Sequence, residues 1–131
     1  MADPFNLDRF IIAQAGGVYE QALAELRAGR KRSHWMWFIF PQHRDLGRSP
    51  NAKYYGLSGI GEARAYAAHP LLGERLRECC RAILPHLATH SAESILGGID
   101  ALKLKSSMQI FTEAVPDEPL FPGLLAALDG V

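Results

Sequence analysis

The chain lacks an excess of charge of either sign. It carries 14 basic and 14 acidic side chains, so its formal net charge is zero. A general nucleic-acid binder gains affinity by neutralising phosphates, and a polybasic segment is what holds a protein at an anionic membrane surface. The charge balance argues against both kinds of partner. Because no run reaches the ~18 consecutive apolar residues of a membrane span, we expect no membrane association.

Cysteine is scarce, and the two cysteines, Cys79 and Cys80, are adjacent. Neighbouring residues on a helix point in different directions, so these thiols are poorly placed to form a disulfide. The first residues show no basic stretch followed by an apolar core. We therefore expect no secretory signal, a cytoplasmic location and reduced thiols. Paired Cys/His spacing is missing too, so we expect no structural zinc and no cofactor.

Sustained period-2 alternation is missing, and valine and isoleucine are few, which argues against a sheet. Apolar residues instead recur at helical spacing along nearly the whole chain. A chain of 131 residues has the length of one domain and can fold without a metal or a disulfide. We predict a compact all-α single domain, residues 1–131, of six to eight mostly short helices.

Residues typical of helix ends divide this pattern into helices. Short polar side chains accept hydrogen bonds from the first amides of a helix, and the predicted N-caps are Asn6, Ser33, Ser91 and Asp100. Glycines are expected to end helices, at Gly16-Gly17, near Gly29, at Gly97-Gly98 and at Gly130. Residues 43–59 hold many turn-forming residues and are predicted to be the longest irregular stretch.

The most distinctive segment is residues 33–42, Ser-His-Trp-Met-Trp-Phe-Ile-Phe-Pro-Gln, which follows the basic run at 30–32. It contains both tryptophans of the chain. A short helix that is apolar on all sides is normally buried, so one interpretation is a core helix. In that case most of the stability would come from burial around Trp35, Trp37, Phe38, Phe40 and Phe111.

The alternative is that segment 33–42 forms the floor of a binding site. Trp35 or Trp37 would offer a flat wall for a ring such as a nucleobase. His34 and Gln42 would bracket that ring with hydrogen-bonding groups. His34 is then the candidate catalytic acid or base, because a histidine in a desolvated aromatic pocket titrates near neutrality. The sequence leaves both interpretations open.

A second candidate segment is Lys103-Leu104-Lys105-Ser106-Ser107. Lys103 and Ser107 are four residues apart and share one face of a helix. Lysine with serine can hold an anionic group, and such a pair can also act as base and nucleophile. The other interpretation is an ordinary solvated helix face. No glycine-rich loop accompanies the segment, which argues against a Walker-type phosphate site.

Two further features bear on a site. The loop at residues 48–56 is long enough to close over a pocket, although Tyr54 or Tyr55 would serve to pin it to the core. Carboxylates near the aromatic segment are scarce. Asp45 is the nearest in sequence, and Glu62 and Asp100 are the ones that the fold could bring closer.

Several longer strings resemble a known family. They are Arg-Lys-Arg-Ser-His-Trp-Met-Trp-Phe-Ile-Phe-Pro-Gln at 30–42, Tyr-Tyr-Gly-Leu at 54–57, Glu-Ala-Arg-Ala-Tyr at 62–66, His-Pro-Leu-Leu-Gly-Glu-Arg-Leu at 69–76 and Asp-Ala-Leu-Lys-Leu-Lys-Ser-Ser-Met at 100–108. Together they are similar to the bacterial family catalogued as domain of unknown function 1810, whose members often carry the label calpastatin. The resemblance covers nearly the whole chain. It implies an all-helical fold and no particular activity.

These observations support two hypotheses of function and leave open whether the chain is an enzyme. In the first, a pocket takes a small anionic, ring-containing, nucleotide-like ligand. The ring would lie on Trp35 or Trp37, polar atoms would meet His34 and Gln42, and the anion would be held by Lys103, Lys105, Ser106 and Ser107. In the second, the chain is a protein-interaction or oligomerisation module without catalytic activity, for instance a homo-oligomer.

Overall fold

A computed structural model describes residues 3–128 of the chain. In that range the backbone forms nine α-helices and two short 3₁₀ segments, and its one β-type pairing is an isolated bridge between His43 and Leu57. The predicted all-α fold is confirmed. The helices are α1 (Asp8–Gln14), α2 (Val18–Arg27), α3 (Met36–Ile39), α4 (Pro50–Tyr54), α5 (Ile60–Ala68), α6 (Leu72–Ile83), α7 (Ala92–Leu96), α8 (Gly98–Ala114) and α9 (Leu120–Ala127), and the 3₁₀ segments are Arg44–Leu46 and Leu84–Ala88.

Two helices, α6 and α8, form the centre of the fold. α8 packs against α5, α7 and α9, and α6 packs against α2, α5 and α9. Both have apolar residues every three or four positions, so each presents one apolar face to the core. On α8 this face includes Leu104, Met108 and Phe111, which are fully buried. The helices packed against α8 cover part of its surface, so they determine which of its polar side chains are accessible to a ligand.

Aromatic rings fill the space between these helices. Phe10 meets Tyr66 edge to face, with 5.0 Å between ring centroids, and Tyr66 lies 5.6 Å from Phe111. Phe38 and Phe40 of the aromatic segment are buried as well. Large rings removed from water stabilise a fold strongly, and helices this short depend on such burial because they are marginal in isolation.

Three of the four predicted N-caps are wrong. Asn6 adopts a positive φ of 53°, and the carboxylate of Asp3 accepts the amides of Leu7 and Asp8 at 2.8 and 3.0 Å instead. Ser33 and Asp100 contact other parts of the molecule, described below, while α3 begins at Met36 and α8 at Gly98. The fourth prediction is confirmed, since the Ser91 hydroxyl accepts the amide of Ser94 at 3.1 Å.

The helix break predicted at Gly16 and Gly17 is confirmed. The φ angles of these residues, 68° and 87°, are unfavourable for residues with a Cβ. Gly29 and Gly97 also have positive φ, just after α2 and α7. The break predicted at Gly130 lies outside the described residues.

The stretch at residues 43–59 is more ordered than predicted. It contains a 3₁₀ segment and α4, which Ser49 caps by accepting the amide of Ala52 at 3.1 Å. α4 brings the number of α-helices among residues 3–128 to nine, above the predicted six to eight. The stretch folds back tightly on itself, because a Cβ added at Gly56 would overlap the Cα of Arg44.

Arg9 holds this stretch against α1. Its side chain is 7% exposed, and its guanidinium pairs with Glu62 at 2.7 Å. The same guanidinium donates to four backbone carbonyls, those of Phe5, Asn6, Tyr54 and Gly56. Glu62 also accepts the amide and the hydroxyl of Ser58, both at 2.9 Å. A buried charge is stable only when it is paired and hydrogen-bonded in this way.

None of the helices in residues 3–128 is both long enough and apolar enough to cross a bilayer.

Candidate functional site

Glu25 on α2 organises the chain that leads into the aromatic segment. One of its oxygens, Oε1, accepts the amides of Arg32 and Ser33 and the indole Nε1 of Trp35, at 2.7, 3.0 and 3.0 Å. The other, Oε2, accepts the Ser33 hydroxyl at 2.6 Å. Burial by itself raises the pKa of Glu25, but these hydrogen bonds favour the carboxylate and lower the pKa to about 2. The carboxylate is therefore a structural anchor that stays charged at neutral pH.

This anchoring explains where Ser33 and Trp35 lie. Ser33 turns toward Glu25 and so does not cap α3. Trp35 is 1% exposed, and its ring has no free face for a ligand. The core interpretation therefore describes Trp35, and the stacking role that we considered for it does not fit its position.

Asp100 links the two lysines nearest the tryptophans. Its Oδ2 lies 3.0 Å from Lys31 Nζ, and its Oδ1 lies 3.6 Å from Lys103 Nζ. Lys31 Nζ is 5.0 Å from the ring centroid of Trp35, and Lys103 Nζ is 5.2 Å from that of Trp37. An ammonium over an indole face is attracted by the ring quadrupole. One carboxylate thus positions two cation–aromatic pairs side by side.

Trp37, unlike Trp35, is only half-buried and borders a small cavity. The free volume of the cavity is about 10 Å³, which is room for about one water molecule. Segment 36–42 forms one side, α8 contributes Lys103, and residues 52–56 form the opposite side. The lining residues are Met36, Trp37, Phe40, Gln42, Ala52, Tyr55, Gly56 and Lys103.

Three buried polar atoms have no hydrogen-bond partner within the described range: Nε1 of Trp37, Oγ of Ser107 and Oγ1 of Thr112. Indole Nε1–H is a donor only, so the Trp37 ring needs an acceptor that residues 3–128 do not offer. A buried unpaired donor costs about 1–3 kcal/mol. Trp37 is the one of the three whose side chain also borders the cavity.

The structure brings together three of the residues predicted for the site. Trp37, Gln42 and Lys103 border the same cavity, although they come from two segments that are sixty residues apart in the sequence. Lys105 and Ser106 are half-buried on α8. Ser107 is fully buried, so its hydroxyl has no access to a ligand and the Ser–Lys nucleophile idea does not fit it.

His34 does not occupy the desolvated pocket that we expected. Its side chain is exposed, because the neighbouring Ser33 and Trp35 are the residues that turn inward to Glu25. It also does not border the cavity at Trp37. Because His34 is exposed and lies outside any desolvated pocket, its position does not support a role as catalytic acid or base.

The sequence did not indicate Glu25 or Lys31 as site residues. Asp100 was wrongly predicted as a cap, but it was also one of two carboxylates that the fold was expected to bring near the aromatic segment, and the structure places it there. The signal for Lys31 was its place in the basic run before the aromatic segment. Glu25 carried no signal, since its partners follow it by seven to ten residues across a turn. Tyr54 or Tyr55 was expected to pin the loop to the core, and the structure gives that role to Tyr55. Its ring lies 5.4 Å from that of Phe38 and 6.0 Å from that of Phe10, and it also borders the cavity.

Metal chemistry has no candidate site in the described part of the chain, where no three histidine, cysteine or acidic side chains come together as ligands. Cys79 and Cys80 are free and buried. Burial raises the pKa of Cys79 to about 12 and that of Cys80 well above its ordinary value, so neither thiol has nucleophilic character.

Residues 4–130 match the family described as protein of unknown function (DUF1810), and the chain belongs to that family. Among solved structures it is similar to the conserved hypothetical protein Rv1873 from Mycobacterium tuberculosis. The two share 52% sequence identity and superpose with a TM-score of 0.90, over 95% of this chain and 87% of that one. Among curated proteins the comparison finds no match. The family is therefore established, and neither relationship assigns it a function.

Proposed function

We propose that the cavity at Trp37, Gln42 and Lys103 binds a small anionic, ring-containing ligand of nucleotide-like chemistry. The observation that carries the proposal is the indole Nε1–H of Trp37, which is buried without an acceptor while Lys103 Nζ lies 5.2 Å from the centre of the same ring. A donor and a cation at one side chain suit an anionic oxygen, because charge-assisted hydrogen bonds are about twice as strong as neutral ones.

The charge of Lys103 is only partly neutralised by its ion pair, so it can attract an anionic ligand. Its carboxylate partner, Asp100, is 3.6 Å away and is shared with Lys31, which lies closer at 3.0 Å. One carboxylate cannot neutralise two ammonium groups, so the cluster of Asp100, Lys31 and Lys103 carries a net positive charge. Ser106, half-buried one helical turn from Lys103, would extend the contact with the anion, whereas Lys105 is two positions from Lys103 and lies on a different side of α8.

The size of the cavity limits what can enter without rearrangement. A volume of about 10 Å³ accommodates a single oxygen atom. A ring needs the wall to move outward at Ala52, because Arg9 bonds the carbonyls of Tyr54 and Gly56 and holds that part of the wall. Ala52 belongs to α4, which has only five residues. The proposal therefore combines an anion contact at Trp37 and Lys103 with an outward shift of this wall. It assigns no catalytic step, since exposed His34 does not border the cavity.

Thermal-shift measurements test the proposal with probes that separate the ring from the anion. The probes are AMP, ribose 5-phosphate, inorganic phosphate and adenosine, each at millimolar concentration. A ligand of the folded state raises the Tm. We expect AMP to raise it more than phosphate or adenosine does.

Two variants and one control locate the binding. Trp37→Phe keeps an aromatic ring but removes the N–H, and Lys103→Met removes the cation while keeping its length. Each should weaken AMP binding by tenfold or more in calorimetric titrations. Arg81→Gln removes an exposed cation that does not border the cavity and should have no effect. If no probe shifts the Tm, or if both cavity variants bind AMP as the unmodified chain does, the proposal is wrong.

A second candidate function is a protein-interaction or oligomerisation module. It is supported by Ile99 and Leu102, which lie three residues apart on the first turns of α8 and are 74% and 56% exposed. Apolar residues on one exposed helix face are typical of contact surfaces. Sedimentation velocity tests this idea: a dimer that Ile99→Ser and Leu102→Ser convert to monomer supports it, and a monomer at all concentrations contradicts self-association.

For location we propose the cytosol, which fits two free, buried thiols. Cell fractionation tests this, and recovery of the protein in an exported or membrane fraction would contradict it.

A further inference from the structure

The outer side of the 43–56 stretch carries a concentration of basic residues. An open depression of about 760 Å³ is bordered by Arg44, Asp45, Gly47, Arg48 and Lys53. A second depression, of about 410 Å³, shares Arg44 and Lys53 with the first and is also bordered by Tyr54. We call the surface formed by Arg44, Arg48, Lys53 and Tyr54 the basic trough.

The three cations of the trough are exposed, and none of them forms an ion pair with another of the residues 3–128. Five other basic residues, Arg9, Arg27, Lys31, Arg77 and Lys103, do form ion pairs within the same range. The acid beside the trough is Asp45, which lies 3.7 Å from His43. Glu62 borders the second depression but is buried against Arg9. A chain with zero net charge therefore presents locally unpaired positive charge here.

Tyr54 adds a rigid aromatic ring to the trough. Its side chain is 57% exposed, and its ring meets that of Tyr55 edge to face, 4.8 Å between centroids. The backbone beneath it is fixed, since the carbonyl oxygen of Tyr54 accepts the Nε–H of buried Arg9 at 2.8 Å. A fixed, exposed ring beside unpaired cations is the combination on which a nucleobase stacks.

We propose that the basic trough binds single-stranded nucleic acid, with backbone phosphates at Arg44, Arg48 and Lys53 and a base on Tyr54. Phosphates neutralised by basic side chains release counterions, which drives binding. The cations border two open depressions that share Arg44 and Lys53, so a strand that crosses both would meet the three cations and Tyr54. Three cations make the binding weak and strongly salt-dependent, as expected for a chain whose formal net charge is zero.

The salt dependence gives a quantitative expectation. For single strands the logarithm of the binding constant falls with the logarithm of salt concentration with a slope of about 0.7 per phosphate contact. Three contacts predict a slope of about −2. The trough and the cavity at Trp37 lie on two sides of residues 52–56, but Arg44, Arg48, Lys53 and Tyr54 do not border the cavity. Oligonucleotide binding and AMP binding are tested with different variants, so either proposal can fail while the other stands.

Fluorescence anisotropy with labelled twelve-nucleotide oligo(U) and oligo(dT), between 20 and 150 mM salt, tests the proposal. The triple variant Arg44→Gln/Arg48→Gln/Lys53→Gln should weaken binding at least tenfold at 20 mM salt and flatten the slope toward zero. Tyr54→Ala should weaken binding severalfold and leave the slope unchanged. All four positions are exposed, so the variants should unfold at nearly the same temperature as the unmodified chain.

The control removes the same number of charges elsewhere. Arg30→Gln/Arg32→Gln/Arg81→Gln changes three other exposed arginines and should bind as before. Three results would overturn the proposal. They are no binding at 20 mM salt, equal loss in the control and trough variants, and trough-dependent sedimentation with phosphatidylserine vesicles while the oligonucleotides stay unbound. The last would assign the trough to a membrane surface.

Discussion

Trp35 donates its indole N–H to Glu25 Oε1 across 3.0 Å, and so ties the aromatic segment to α2. The same oxygen accepts two backbone amides, and the other oxygen accepts the Ser33 hydroxyl. Because all these bonds go to the charged form, the ionisation of Glu25 and the folding of the chain are coupled.

Glu25→Gln should destabilise the chain at pH 7 by about 2–3 kcal/mol, since a neutral amide accepts these hydrogen bonds less strongly. The pKa of Glu25 is about 2 in the folded chain, below its ordinary value of 4.5. A depressed carboxyl pKa stabilises the fold above the ordinary value, and that stabilisation is lost as pH falls toward 2. Urea unfolding of both proteins between pH 2 and pH 7 checks this. A stability difference that does not shrink below pH 4.5 would contradict it.

Arg9→Lys should destabilise the chain by about 2–4 kcal/mol, although it keeps the positive charge. A lysine cannot reproduce a guanidinium that meets Glu62 and four backbone carbonyls. The measurement is the urea midpoint, with the exposed Arg81→Lys as control. We also expect faster hydrogen exchange at residues 54–58, and unchanged exchange there would show that Arg9 does not hold that stretch.

Gly73→Ala should cost about 1–3 kcal/mol, because the new Cβ would overlap the carbonyl oxygen of Ala67 in the buried contact between α5 and α6. Gly123→Ala, inside α9, meets open space and should stabilise by about 0.5–1 kcal/mol. Tm values of the two variants should therefore move in opposite directions. Equal shifts would mean that the glycine at position 73 is not required by packing.

Ser107→Ala should leave the free energy of unfolding unchanged or raise it by up to about 1 kcal/mol. The hydroxyl is fully buried and lacks a partner among residues 3–128, so removing it relieves an unsatisfied group. Ser106→Ala, at the half-buried neighbour, serves as the comparison. A marked loss of stability in Ser107→Ala, seen by urea unfolding, would reveal an interaction of that hydroxyl.

Cys79 and Cys80 should resist thiol reagents in the folded chain. With a pKa of about 12, on the order of one in ten thousand Cys79 thiols is ionised at pH 8, and both side chains are inaccessible. Ellman's reagent should label neither cysteine in buffer at pH 8 and both in 6 M guanidinium chloride. Rapid labelling of the native chain would show that α6 opens locally.

Much of the fold follows from local sequence signals. Helical spacing, paired glycines at 16–17 and the Ser91 cap all act within one or two turns, and the structure has each of them. α4 was missed because five residues are too few to show a period. Ser33 and Asp100 were wrongly predicted as caps because their residue types suit that position, whereas distant residues bind them instead. At Asn6 the nearby Asp3 accepts the first amides.

Only part of the candidate site could be predicted from the sequence. Trp37, Gln42 and Lys103 could be named because their residue types are distinctive, and the fold brings them to one cavity. Which tryptophan remained accessible depended on Glu25, whose partners follow it by up to ten residues. No spacing rule of helices connects Glu25 with Trp35. For the same reason, the sequence did not show that His34 would lie on the surface, outside the aromatic pocket.

The carboxylate of Asp100, shared by Lys31 and Lys103, gives the chain a built-in optical reporter. Each lysine lies over one of the chain's two tryptophans, and indole emission responds to a nearby charge. Trp35 is sealed in the interior and supplies a constant blue-shifted component, while half-buried Trp37 reports on its surroundings. Any event that moves Lys103 should therefore change the colour and intensity of intrinsic fluorescence mainly through Trp37, without an added dye.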